Sequence, residues 1–371
     1  MQQMLTEKLK QRKKVVLLNS RQPQGVSGSC KWVKKTIEAV TWAKDQGYVL
    51  ITSVGAKTWE ISLFSAIEQS VPVIILLPVA SQSSFESLRS YYCTQFRIDP
   101  AKAVFVSVED SGTEADQQKN RDLAAVKMAD LIVPVSIRKK GSLQKIVSAI
   151  EPSSCCMDFR TPYQSKNCIL KLSYTDMKLH DEIKADWLSD YLFHWTRTSW
   201  KPWPDELITD YYRGIVHSVD YPRTALKTLE HILESQVIFG SDRHMPGKQR
   251  CVSFTGETPE RFLPLMRWRS RYREMSFEPY GVGIRKGAAL QRNVKKVLYT
   301  EWTAGISEKD RWCVQSSGKK GNWLPENEYR CKGDFSLAGI DRNDIMIICP
   351  TAADTSKLSS TFGIRTVPMF Q

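Results

Sequence analysis

Along the first 150 residues, apolar positions gather into short, nearly unbroken runs separated by amphipathic stretches. The runs are 15–18, 48–51, 73–77, 104–108 and 131–135. A strand buried on both faces reads this way, because neither face can afford polar side chains. Between them, residues 32–43 place Val33, Ile37, Val40 and Trp42 at helical spacing, and Gly47 follows as a stop signal. A second helix is predicted from Thr58, with Ile61, Phe64 and Ile67 on its apolar side, and another over about 116–128. Strand alternating with helix at this length predicts a Rossmann-like α/β domain over 13–150, a parallel sheet with helices on both faces.

The pattern changes after Glu151. Residues 151–166 hold Pro152, Ser153, Ser154, Pro162 and Ser165 and predict a linker. Beyond it, apolar runs at 168–172, 251–255 and 344–349 predict strands among less regular segments, so 167–371 is expected to form an α+β domain. Two domains also suit a chain of 371 residues, since single cores stop growing at roughly 250–300. The strongest apolar run, 71–80, is half the length of about 20 that a spanning helix needs, and a cytoplasmic protein without membrane attachment is expected. The nine cysteines form no C-x-x-C and the five histidines no H-x-x-x-H, so reduced thiols and no metal are expected.

A formal charge of +13 admits two readings, a polyanionic partner or a solvated basic surface. The loops at the carboxyl ends of the predicted parallel strands sharpen the first, because ligands of such sheets bind there. Ser20 and Arg21 follow the first strand, Ser53 and Gly55 the second, and Gly141 and Ser142 the fifth. The turns lack G-x-G-x-x-G and G-x-x-x-x-G-K-[ST], which argues against a dinucleotide dehydrogenase or a P-loop ATPase.

Residues Asn120-Arg121-Asp122-Leu123-Ala124-Ala125, Met128-Ala129-Asp130-Leu131-Ile132-Val133 and Lys140-Gly141-Ser142-Leu143, with Ser20-Arg21 after the first strand, resemble DNA-processing protein A. That protein belongs to a nucleotide-sensor superfamily that also includes the lysine-decarboxylase-like cytokinin-activating enzymes. Thr58 and Glu60 stand near the place of the PGGxGTxxE motif of those enzymes, but the full motif is missing. The resemblance therefore implies a domain that senses or binds a nucleotide rather than a phosphoribohydrolase.

In the second half, three places combine aromatic and polar residues. Phe193-His194-Trp195-Thr196-Arg197 sets a histidine among aromatics, suited to a ribose hydroxyl and a phosphate, or to a structural hydrogen bond. Cys251-Val252-Ser253-Phe254-Thr255 ends a strand in hydroxyls; Arg267, Arg269, Arg271 and Arg273 follow, either facing a polyphosphate or forming a solvated helix face, and then comes Tyr280. Glu326 and Glu328 are two apart; on an extended segment they would point the same way, and on a surface loop they would be solvated acids. In this order the three places resemble an ADP-ribosyltransferase skeleton and an abortive-infection family from phage-resistance and toxin–antitoxin contexts. That resemblance implies NAD or a related adenine nucleotide as ligand. It implies Trp195 or Tyr280 stacked on the nicotinamide, His194 on the ribose hydroxyl, Ser253 and Thr255 as the second-strand cofactor-binding motif, and Arg197 near the diphosphate. Glu328, with Glu326 second, would stabilise the positive charge that develops on the ribose. Two other classes stay open: a single-stranded nucleic-acid binder without chemistry, and an antitoxin-like module that docks a co-encoded protein.

Overall fold

The computed structural model describes residues 9, 11–79, 81–109, 113–164, 173–243, 245, 248–300, 306–317 and 323–371. The chain divides into two compact units. The first takes Met1–Cys168 and Glu206–Pro222, the second Ile169–Asp205 and Arg223–Gln371.

The first unit is α/β. Strands β1 (Lys14–Asn19), β2 (Val49–Ser53), β3 (Val73–Val79), β4 (Ala103–Glu109) and β5 (Leu131–Ser136) form an all-parallel sheet in the order β4-β3-β2-β1-β5. Helices α1 (Lys31–Asp45), α2 (Lys57–Glu68), α3 (Gln82–Phe96), α4 (Glu114–Met128) and α5 (Ser142–Ser148) connect or follow them. Alternate residues of each strand enter different cores. Val15 and Leu17 join Val33 and Val40 of α1, whereas Val16 and Leu18 join Ala125 of α4 and Leu143 of α5. Burial on both faces is why these strands lack polar alternation.

The expected linker does not separate the units. Cys156 N–H donates to the Ile132 carbonyl and Thr161 N–H to the Val135 carbonyl, so 151–164 runs along β5 as part of the first unit. The strand expected at 168–172 lies outside the described residues.

The second unit is also not the continuous stretch 167–371. Helix α6 (Ile208–Val216) sits in the first unit, where Ile208, Tyr211, Tyr212 and Ile215 make an apolar stripe buried with Val33 and Phe64. Gly28 N–H donates to the carbonyls of Ile215 and Ser218, and the Tyr212 hydroxyl to Glu60 Oε2 at 2.5 Å.

The second unit is built on a mixed sheet of β6 (Tyr191–Trp195), β7 (Cys251–Thr255), β8 (Gly281–Arg285), β9 (Lys295–Lys296), β10 (Glu328–Lys332), β11 (Ile345–Cys349) and β12 (Arg365–Pro368). Their order is β9-β10-β7-β6-β8-β11-β12, antiparallel except for the last pair. One face packs Leu192, Phe254, Val282 and Ile347 against Leu229 and Leu233 of α7 (Ala225–Ser235) and Leu358 of α8 (Ala352–Phe362). The other packs Tyr191, Phe193, Trp195, Met346 and Ile348 against Phe262 and Met266. Among the described residues, no helix is long and apolar enough to cross a membrane.

Candidate functional site

In the second unit, β6, β7 and β10 are neighbours, which brings the three polar places of the sequence onto adjacent strands. In the β10–β7 ladder Glu328 lies opposite Thr255 and Arg330 opposite Ser253. Residues two apart share a strand face, so these four side chains stand on one side. Strands β6 and β7 share a single rung, Phe193 with Thr255. Opposed residues share a face, so Thr255, Ser253, Glu328 and Arg330 stand on the Phe193 side and His194 on the other, against Phe254. This overturns the expectation that His194 and Glu328 hold one ribose. The His194 ring meets the β7 backbone, with Nδ1 2.8 Å from the Ser253 carbonyl oxygen. A carbonyl only accepts, so Nδ1 carries the proton and Nε2 is the acceptor of the neutral ring. Burial, with the positive charge of Arg197 nearby, holds His194 below its ordinary value, which keeps the ring neutral at pH 7.

Glu328 is anchored more firmly than the sequence suggests. Ser253 Oγ donates to its Oε1 at 2.6 Å. Arg330 grips both oxygens, Nε to Oε1 at 2.8 Å and Nη2 to Oε2 at 2.7 Å. Arg330 is 2% exposed, and its other N–H groups donate to the carbonyls of Trp312 and Val314 and to Gln315 Oε1. All five guanidinium protons therefore have acceptors, the condition under which a buried ion pair can repay its desolvation.

Glu326 differs in every respect. It does not share an extended segment with Glu328, as alternation suggested. It ends a 3-10 turn, Leu324–Glu326, and Asn327 in the left-handed region (φ 41°) redirects the chain into β10. Its backbone carbonyl accepts from Thr255 Oγ1 at 2.6 Å. Its carboxylate lies 3.7 Å from Arg269 Nη2, and the Arg269 guanidinium lies 5.2 Å from the Trp323 ring centre. Burial first, and the Glu328 charge second, push this carboxyl up to about 7.

Arginines gather beside these acids. Arg197 Nη1 is 3.3 Å and Arg243 Nη2 2.7 Å from Oε1 of the buried Glu274. Burial lowers the Arg197 pKa, and the charges of Arg243 and Arg269 lower it further. Two guanidiniums share the Glu274 carboxylate and a third, Arg269, lies on Glu326, a cluster of the kind that can hold an anionic group.

Several expected roles fail on geometry. Trp195 points to the opposite side of β6 from His194 and is 5% exposed, stacked between Phe193 and Phe262 and lying over Gly281. It cannot meet a nicotinamide; the Tyr299 hydroxyl accepts from Glu328 N–H, and Trp323 lies against Arg269. Tyr280 packs against the apolar core with Val282, where Asp354 and Cys349 face it. The arginine run is not a helix face: Trp268–Arg269 pairs antiparallel with Glu274–Met275 across a tight turn. Arg330 and Arg243 were missed, and Glu274, expected with Glu278 as a partner of the arginines on a solvated face, is instead buried between Arg197 and Arg243. Arg330 was accessible in principle, since Glu-Tyr-Arg on a strand sets its ends side by side. The loop residue Arg243 carried no periodic signal.

In the first unit, β1, β2 and β5 are adjacent and parallel, so the loops after them lie on one edge. Ser142 is exposed at the start of α5, Gly141 caps that helix, and exposed Gly55 has φ +82° with open space where a Cβ would stand. Ser20 is structural: its N–H donates to the Ser136 carbonyl, and its Oγ accepts from Arg138 N–H. Ser53 is wholly buried and donates to the Leu76 carbonyl at 2.7 Å, so it serves the β2–β3 seam and not a ligand. The backbone of Arg21 accepts from the Tyr163 hydroxyl, while its side chain is exposed. Lys57 donates to the Gln24 carbonyl at 2.7 Å between the rings of Tyr211 and Tyr221, and burial lowers its pKa to about 7. A scan against family models and searches of curated proteins and of solved structures find no match to this chain.

Proposed function

We propose that the second unit breaks the nicotinamide–ribose bond of NAD, as a glycohydrolase or an ADP-ribosyltransferase, and that the first unit binds a nucleotide that governs it. The observation that carries this reading is the pairing of β7 with β10, which sets Ser253, Thr255 and Glu328 on one face with the Ser253 hydroxyl on Glu328, while His194 supports Ser253 through its backbone. These are the residues that the ADP-ribosyltransferase resemblance marks.

In this reading Arg197, Arg243 and Arg269 hold the diphosphate, and His194, on the other face of the sheet from Glu328, braces the β7 backbone at Ser253 rather than touching the ribose. As the C–N bond lengthens, nicotinamide leaves with the bonding pair and positive charge grows on the anomeric carbon. Glu328, fixed in place by Arg330 and Ser253, stabilises that charge without reorganising. Glu326, with a pKa near the working pH, takes the proton of the incoming water or acceptor hydroxyl. The test is release of free nicotinamide by the pure full-length protein, with water alone and with added nucleotides and protein acceptors. Glu326→Gln should slow release by about 100-fold, within the usual range for a general base. No release under any of these conditions, beside an active control enzyme, would refute the catalytic reading.

A further inference from the structure

We propose that the first unit seats the uncharged, hydrogen-bonding end of a nucleoside phosphate on Asn19, Gln22 and Ser136, at the carboxyl ends of β1 and β5. This rests on the nucleotide-binding reading of that unit and specifies where and how the ligand is read.

In the order β4-β3-β2-β1-β5, the chain builds outward from β1 in one direction and then returns to place β5 on its other side. The crevice beyond β1 and β5 is therefore the switch point of the sheet, where open parallel sheets bind ligands. Asn19 and Ser136 form the last rung of that ladder, and the register slips between Leu18 and Asn19. Such slips re-aim side chains at strand ends.

The side chains left there are polar, buried and incompletely bonded. Asn19 is 7% exposed and Ser136 fully buried. Asn19 Nδ2 donates to Thr36 Oγ1 at 3.1 Å, which fixes the amide orientation and leaves Oδ1 as the open acceptor. Among the described residues, Asn19 Oδ1, Ser136 Oγ and both amide atoms of Gln22 are buried and have no hydrogen-bond partner. Leaving such atoms without partners is costly. Two of these atoms meet on the Asn19–Ser136 rung and Gln22 follows three residues on in the same loop, so the carboxyl edge of β1 and β5 calls for an occupant.

The chemistry of the set identifies the occupant's class. Two carbonyl oxygens accept, one amide nitrogen donates and one hydroxyl does either; none is charged. This matches the edge of a nucleobase or a ribose diol, and it lacks what a phosphate needs. Charge lies at the rim instead, where Arg21 follows β1 and Arg138, Lys139 and Lys140 follow β5, all exposed. The geometry thus points to the neutral end inside and the phosphate outside. Ser20 and Ser53, the hydroxyls nearest in sequence, are already spent on backbone partners.

The experiment is calorimetric titration of the full-length protein with AMP, GMP, CMP, ribose 5-phosphate and inorganic phosphate. At least one nucleoside monophosphate should bind, and Ser136→Ala and Gln22→Leu should each weaken it about tenfold or more. Weak binding of inorganic phosphate should survive both changes and disappear with Arg138→Ala. Without ligand, Ser136→Ala should leave Tm unchanged or raised, because it removes an unpaired buried hydroxyl. A clear drop in Tm for Ser136→Ala would mark the hydroxyl as structural and overturn the proposal. If nucleoside monophosphates bind but both variants bind them equally well, the seat is wrong and the nucleotide reading stands. If none binds, both fall.

Discussion

Changing Glu326 to Gln removes a titrating proton while keeping the side chain's shape, and the surroundings of Glu326 set the size of the effect. Burial and the Glu328 charge raise this carboxyl from 4.5 to about 7, against the pull of Arg269 and Arg330. The side chain is 16% exposed, so water screens it only modestly. A folded-state pKa above the unfolded one means that the native state holds the proton more tightly. The stability this provides is fully present below about 4.5 and is lost as pH rises through about 7. At about 1.4 kcal/mol per pH unit, the loss amounts to about 3 kcal/mol once Glu326 is ionised. Glutamine never ionises, so Glu326→Gln escapes it. Urea unfolding of the second unit, followed by tryptophan fluorescence between pH 5 and 8.5, should show the two proteins nearly matched at pH 5. At pH 8.5 the variant should be more stable by about 2–3 kcal/mol. A difference that stays flat with pH, or a variant less stable at pH 8.5, would refute the reasoning.

Arg330→Met should destabilise the second unit by about 3–5 kcal/mol, because it strands the buried Glu328 charge. Adding Glu328→Leu should restore most of that loss, and additive single effects in a double-mutant cycle would count against the pair. His194 has a depressed folded pKa, so its contribution to stability is present above about 6.5 and is lost as pH falls. His194→Gln should flatten the fall in Tm between pH 6.5 and 5, and an unchanged acid limb would contradict the buried neutral ring. A Cβ on Gly28 would stand 1.9 Å from the Val216 carbonyl oxygen, so Gly28→Ala should loosen 206–222 and speed proteolysis there. Equal cleavage of both proteins would show that this contact does not hold the segment. Ser53→Ala should lower stability by about 1 kcal/mol and leave nucleotide affinity alone; a loss of affinity without a loss of stability would return Ser53 to the binding edge.

Much of the first unit was legible in the chain, because double burial writes itself locally. A strand covered on both faces must be apolar throughout, and the runs at 15–18, 48–51, 73–77, 104–108 and 131–135 each became a strand of the parallel sheet. Helix α3 escaped notice: it buries only Phe96 of its 15 residues, so its apolar stripe is faint. Helix α6 shows a stripe but no address. Ile208, Tyr211, Tyr212 and Ile215 say that one face is covered, and nothing local says that the cover is the first unit's core.

At the candidate sites the division is sharper. Sequence marked His194, Ser253, Thr255, Glu326 and Glu328, and strand order made β6, β7 and β10 neighbours. Trp195 was misjudged because a period of two sends it to the face opposite His194, into the aromatic core. The two glutamates acquired different surroundings from tertiary structure: Arg330 and Ser253 hydrogen-bond one, while burial and the Glu328 charge raise the pKa of the other against the pull of Arg269 and Arg330. Asn19 and Ser136 carry no motif and meet only because β5 returns to lie beside β1. Periodicity records whether a residue is covered, since burial acts on each side chain where it stands. Hydrogen bonds and charges depend on what covers it, and register between distant segments decides that.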